Sequence, residues 1–190
     1  VYDVNPGTTL YGQLSTGETH PRGGDVVRVS NSLREADTVE VEQYEVGLKQ
    51  SLFDDRIALN LAIFDITREN MLIDDPDSSD PTDFAIIPKQ TAQGIEIGLS
   101  YTASEKLTAY ANAAFVDSER DTGNDVIDTP YAPELTANFG LRYMLNDAFY
   151  VGADYRYVDE RPYQEQPLPS YSIVDISFGY SISERVRLMI

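Results

Sequence analysis

The sequence predicts an all-β protein: an antiparallel, up-and-down transmembrane β-barrel portion of about nine strands, with short periplasmic turns and long extracellular loops. Three observations carry this expectation. Apolar residues recur with period two along most of the 190 residues. Tight turns alternate with long polar segments. Charges in mid-strand stay off the aliphatic parity.

The strands follow in chain order. Alternating runs occupy Thr8–Ser15, Glu42–Leu52 and Ile57–Ile66. From Gln93 to Tyr101 one parity holds Ile95, Ile97, Leu99 and Tyr101, and the other Gly94, Glu96, Gly98 and Ser100. Leu107–Val116 follows, then Leu135–Leu145, whose apolar parity is Leu135, Ala137, Phe139, Leu141, Tyr143 and Leu145. Leu135, Phe139 and Tyr143 are also four apart, as in a helix, but the β-like neighbours outweigh that reading. Phe149–Val158 comes next. Val174, Ile176, Phe178, Tyr180 and Ile182 then alternate with Asp175, Ser177, Gly179 and Ser181, and a last run starts at Val186.

Connections separate a membrane barrel from a soluble sandwich. Tight turns fall at Asn5-Pro6-Gly7, Asp54-Asp55, Ser104-Glu105, Asn146-Asp147 and Ser183-Glu184, and long segments near 17–40, 68–90, 117–134 and 159–169. A sandwich has no reason to gather its long connections at one end. A lipocalin-like cup does so, but it turns its apolar parity inward. Here Glu45, Lys49, Glu96, Arg142, Asp154, Arg156 and Asp175 all oppose the aliphatic parity; Asp65 departs from this rule near the start of a long segment. Tyr101, Tyr143, Phe149 and Tyr180 lie near tight turns, and Phe115, Tyr155 and Tyr157 near long ones, as two interfacial girdles would.

Composition narrows the chemistry. The chain has 32 acidic and 14 basic residues, a net charge of −18, no Cys and one His. An acidic balance argues against nucleic acid, which needs a basic face. Without Cys there is neither a disulfide framework nor a Cys zinc site. The four long segments hold 20 of the acidic and 7 of the basic residues, so the acidity belongs to the loop end. Solvated loops explain it; carboxylates sharing divalent cations with lipopolysaccharide are a second reading. His20 is read as a solvated loop residue, and the Asp74–Asp80 run, which lacks the Gly and distal Glu of a calcium loop, as a flexible acidic loop. No nucleophile elbow or Gly-rich phosphate loop is present, and no enzyme activity, cofactor or metal site is expected.

Several words then resemble one family. Tyr44-Glu45-Val46-Gly47-Leu48-Lys49, followed by Leu52-Phe53-Asp54-Asp55-Arg56, is similar to a hairpin of TonB-dependent outer-membrane receptors. So are Leu10-Tyr11-Gly12, Ala62-Ile63-Phe64-Asp65-Ile66 with Asn70, Gln93-Gly94-Ile95-Glu96-Ile97, Pro133 to Tyr143, and Leu168-Pro169 with Tyr171, Val174 and Asp175. The order and spacing agree along almost the whole chain, with ferric-siderophore receptors the most alike. The resemblance implies a cell outer-membrane location. It also implies a receptor that captures a ferric siderophore or related iron chelate and imports it, using a plug domain and an inner-membrane TonB-type energy transducer. Lipid and lipopolysaccharide would surround it. The family's barrel has about 22 strands. Residues 1–190 are therefore expected to be part of the barrel domain, with plug, earlier strands and C-terminal strands absent.

Chelate contacts are expected from loop and upper-wall aromatics and Arg: Tyr131, Tyr157, Arg161 and Tyr163. Each also reads without a ligand, Tyr157 as a girdle aromatic and the others as loop anchors. Acidic loops sit awkwardly with anionic ferric chelates, which points to a cationic or neutral ligand or to binding below the loop tips. Glu45, Lys49 and Glu96 face the lumen and are expected to bond a plug or wall neighbours. A complete small outer-membrane barrel with a structural, adhesive or lipid-modifying role is the alternative; the odd strand count and the family words disfavour it. A soluble β-barrel binder is disfavoured by the parity of the charges.

Overall fold

A computed structural model describes residues 1–19, 38–74, 84–163, 166–183 and 186–189. These residues form one antiparallel sheet with strands β1 (Tyr2–Asn5), β2 (Thr8–Thr19), β3 (Val39–Leu52), β4 (Ile57–Asp74), β5 (Phe84–Ser104), β6 (Leu107–Asp121), β7 (Val126–Asp128), β8 (Leu135–Met144), β9 (Phe149–Val158), β10 (Tyr171–Ser183) and β11 (Val186–Met189). Each strand pairs with the next in sequence, except that β7 folds back on the outer end of β6 and β8 takes the place beside β6. The nine expected strands are all present. The two that alternation missed, β1 and β7, have four and three residues, too short to show a period.

The cross-strand registers sort the residues into two faces. Leu48, Leu61, Ile97, Ala113, Ala137 and Tyr157 form one outward row. The next row holds Gln50, Leu59, Leu99, Ala111, Phe139, Tyr155 and Val174. The opposite face carries Lys49, Asn60, Gly98, Asn112, Asn138 and Arg156 in a single row. In water such a sheet has nothing to bury its apolar side: among the described residues Ile87 is the one buried hydrophobic, while Val46, Ile63, Val174 and Ile176 are each more than half exposed. A band of this size is lipid-facing, since a soluble monomer does not leave such an area in water.

The band also reports the slant of the strands. Its loop-end edge lies at Leu14 on β2, at Val46, Ile63, Ile95, Phe115 and Leu135 on β3–β6 and β8, at Tyr157 on β9 and at Val174 on β10. Traced along the ladders, that edge falls by three same-face rows, six residues, between β2 and β10. With about 3.4 Å per residue and about 4.8 Å between strands, the strands tilt by roughly 30° from the membrane normal, close to the tilt of membrane barrels.

Strands outrun the band. The expected loop 68–90 is largely strand: β4 runs to Asp74 and β5 starts at Phe84, with those two residues paired. Likewise β6 continues to Asp121, and β2 and β3 reach Thr19 and Val39. Apolar alternation stops where lipid stops, but the backbone still needs partners, so the ladder continues with side chains that water solvates on both faces. His20 and residues 75–80 of the acidic run lie outside the described residues. At the opposite end the turns are short and self-capped: Asn146 Oδ1 accepts from the backbone N–H of Ala148 and of Phe149, both at 2.9 Å.

On the polar face, rings lie across glycines. Tyr110 of β6 pairs with Gly140 of β8, which pairs with Asp154 of β9. The ring covers Gly140, and its hydroxyl donates to Asp154 Oδ1 at 2.7 Å, so one side chain spans three strands. A Cβ at Gly140 would collide with that ring. The pairs Tyr11–Gly47, Phe64–Gly94 and Tyr150–Gly179 repeat the arrangement, an internal counterpart of aromatic rescue of strand glycines.

A candidate ligand-facing site at the loop end

The polar face and the loops above it present two groups of side chains. The lower group lines a hollow of about 530 Å³ bounded by Tyr11, Lys49, Asn60, Glu96, Asn112 and Asn138. Residues at alternate strand positions reach it because every second side chain points there. Tyr11 donates to Glu45 Oε1 at 2.7 Å, and Gln43 Nε2 donates to Glu45 Oε2 at 3.2 Å. The Lys49 ammonium lies 5.4 Å from the centre of the Tyr11 ring. Of the three charges expected to bond wall neighbours, Glu45 is hydrogen-bonded within the wall and Lys49 is held on an aromatic face. This is a polar surface on the lumen side of the wall.

The upper group is built by two loops folded against each other. Thr129 is buried against β6: its N–H donates to the Ser118 carbonyl at 2.8 Å, and its hydroxyl oxygen accepts from Ser118 Oγ at 2.9 Å. That anchor carries Tyr131, which takes a positive φ of 65° and donates its N–H to the Pro162 carbonyl at 2.8 Å. A bulky residue in the left-handed region is uncommon, so the neighbouring contacts hold it there. The Tyr131 and Tyr163 rings stand 5.0 Å apart. Arg161 and Leu168 exchange backbone hydrogen bonds of 2.9 Å, closing the second loop, and the Arg161 guanidinium sits 5.3 Å from the centre of the Tyr171 ring. Its Nε is buried without a hydrogen-bond partner.

Of the four expected contact residues, the structure brings the Tyr131 and Tyr163 rings together and sets Arg161, two residues before Tyr163, against Tyr171. Tyr157 stands apart on the outward face, paired with Ala137 and Ser172, and its hydroxyl donates to Asp159 Oδ1 at 3.1 Å. It occupies the position of a girdle aromatic. Sequence reasoning did not select Tyr171, which stands at the head of β10 in register with Val158 and gives Arg161 its ring. The signal was available only in its polar-face parity.

The Tyr131 phenol is held above its ordinary value of 10.0, first by its hydrogen bond with Tyr163 and then by burial and the charge of that neighbour. The neutral pair is thus retained below that raised value and is lost as pH climbs through it. Tyr163→Phe is expected to bring Tyr131 ionisation down toward the ordinary tyrosine range, read from the Cζ shifts of ¹³C-labelled tyrosine. An unchanged titration would show that the bond does not set it.

Comparison with known proteins places these features in a wider group. The family model described as "TonB dependent receptor-like, beta-barrel" matches residues 1–190. The metal-pseudopaline receptor CntO of Pseudomonas aeruginosa is 26% identical over 99% of this chain, which spans 27% of that protein's length. Among solved structures, the siderophore receptor PiuA of Acinetobacter baumannii superposes with a TM-score of 0.76 at 20% identity, over 99% of this chain and 29% of its own. The copper transporter OprC superposes with a TM-score of 0.80 at 18% identity, over 99% of this chain and 31% of its own. At such identities the structural likeness speaks for the fold.

Proposed function

Since the chain belongs to the TonB-dependent receptor β-barrel family and so to the outer membrane, we propose that it is part of the wall of a receptor that captures and imports a chelated metal, with a ferric siderophore as its cargo. The observation that carries this reading is the polarity of the sheet. One face is a lipid-facing aliphatic band, the other a hydrated wall, and the aromatic and arginine groups gather at the end where the loops fold together. The relatives named for siderophores and for metal–pseudopaline support the cargo class. In this reading residues 1–190 are one continuous portion of the barrel domain. The plug and the contact with the energy transducer belong to other parts of the same protein. Transport moves a plug and a cargo, so the chain needs no catalytic group.

Tyr131, Arg161 and Tyr163 are the loop contacts in this reading, offering ring faces and a guanidinium to the oxygens of a chelate. Cells making the full-length receptor are expected to accumulate ⁵⁵Fe from one class among ferric catecholate, hydroxamate and aminocarboxylate chelates, and to stop when the proton gradient is collapsed. Arg161→Ala and Tyr163→Ala are each expected to weaken surface binding about tenfold, the scale of one lost interaction of 1–2 kcal/mol. Uptake that is indifferent to the proton gradient, or a receptor that binds none of the chelates, overturns the proposal.

A further inference from the structure

The net charge of −18 conceals a separation across the wall. On β2–β6, above the aliphatic band, the outward parity carries Glu18, Glu40, Glu42, Asp65, Glu69, Asp117, Glu119 and Asp121, with Lys89 as its one base. The lumen-facing parity of the same segments is the reverse. Above the row of Glu45 it holds Arg68 and Arg120, and its one carboxylate among the described residues is Asp74, three same-face positions beyond Arg68 at the tip of β4; its other members include Gln43, Gln90 and Ser118. Arg68 pairs across the ladder with Gln90, and Gln90 with Arg120, so the two guanidinium groups share one row, two strands apart.

The separation follows from the pleat. Arg120 lies between Glu119 and Asp121, and Arg68 precedes Glu69, yet neighbours in a strand point to opposite faces and cannot pair. No ion pair holds either arginine among the described residues, and the Arg120 Nε is buried without a hydrogen-bond partner. A ligand in the lumen meets the arginines at contact distance. The carboxylates stand on the other side of the pleat, facing away from the lumen. Two like charges in one row also attract a ligand of the opposite sign together.

Resting on the chelate-receptor reading above, we infer that the upper lumen at Arg68 and Arg120 selects an anionic metal chelate, despite the acidity of the chain as a whole. Guanidinium groups suit the carboxylate or catecholate oxygens of such a ligand, which they meet in a planar fork. The outward carboxylates play no part in binding it.

The test uses the full-length receptor in detergent and three probes: the ferric tris-catecholate complex of charge −3, ferric citrate, and a neutral ferric trihydroxamate. Wild type is expected to prefer one of the anions. Arg68→Gln and Arg120→Gln should each raise its Kd about tenfold and leave any binding of the neutral complex within about twofold, with Arg→Lys intermediate. The affinity of wild type for the anion should fall with salt, and the double variant should lose most of that slope. Heat-modifiable migration on gels confirms that each variant is folded. Preference for the neutral complex, or a double variant that binds the anion as wild type does, overturns the inference and leaves the receptor reading standing. A wild-type receptor that binds none of the three overturns both.

Discussion

Ile97→Arg is expected to be the most damaging single change in the wall, costing about 2–4 kcal/mol of folding stability. Ile97 lies in the middle of the outward band, in register with Leu61 and Ala113 and 41% exposed. A guanidinium there must sit in hydrocarbon or drag water and headgroups toward it. Asn112→Arg is the matched control. It places the same side chain at nearly the same height on the polar face, beside Gly98 and Asn138, where water solvates it and the expected cost is about 1 kcal/mol or less. The measurement is the urea midpoint of the full-length receptor in phosphatidylcholine vesicles, together with its folded yield in cells. Equal costs for the two variants would mean that the aliphatic face does not meet lipid.

The second large effect is at Gly140. A Cβ there meets the Tyr110 ring and Asp154 Oδ1, so Gly140→Val must expel the ring and break the 2.7 Å bond to Asp154. Overpacking of this kind costs about 1–3 kcal/mol, and losing a hydrogen bond to a charged group adds about 1.5–3 kcal/mol less whatever water restores. A total of about 3 kcal/mol is expected. The double variant Tyr110→Ala with Gly140→Val separates a ring–glycine lock from a general intolerance. With the ring gone, valine meets only the end of the Asp154 side chain, which no longer holds the tyrosine hydroxyl and can turn aside, and it gains strand propensity. The second substitution should then cost under about 1 kcal/mol, a strong coupling in a double-mutant cycle. Additive losses would show that the ring and the glycine act independently.

Much of this wall was legible in the sequence, because a bilayer imposes its alternation on every strand. The parity of Ile95, Ile97 and Leu99 against Glu96 and Gly98 sufficed to assign faces, and Asn146-Asp147 announced a turn by its chemistry. Strand ends were not legible. Above the band, Thr67 to Glu69 and Ser118 to Arg120 read as polar loop, since both faces there meet water and no solvent contrast marks the pleat. The ring–glycine pairs were hidden for another reason: Gly140 and Tyr110 are neighbours only in register, and register is not a local property of either strand. The same holds at the loop end. Tyr131, Arg161 and Tyr163 were selected as residue types, but the contact of Tyr131 with Pro162, and the ring that Tyr171 offers Arg161, depend on how two loops fold together. Charge was the most misleading average, because it summed over two faces that the pleat keeps apart.

The height of the aliphatic band works as a gauge of membrane thickness. On β4 it runs from Ile57 to Ile63 and on β9 from Phe149 to Tyr157, which at the tilt deduced above gives roughly 20 Å of hydrocarbon-matched wall. A bilayer with a core of about 30 Å would draw the carboxylates of Asp65 and Asp117 into its acyl region, or else have to thin around the protein. The bacterial outer membrane is thinner than average and needs no such distortion. Hydrophobic mismatch therefore sorts this chain toward that membrane, written into how few outward residues separate its two aromatic edges.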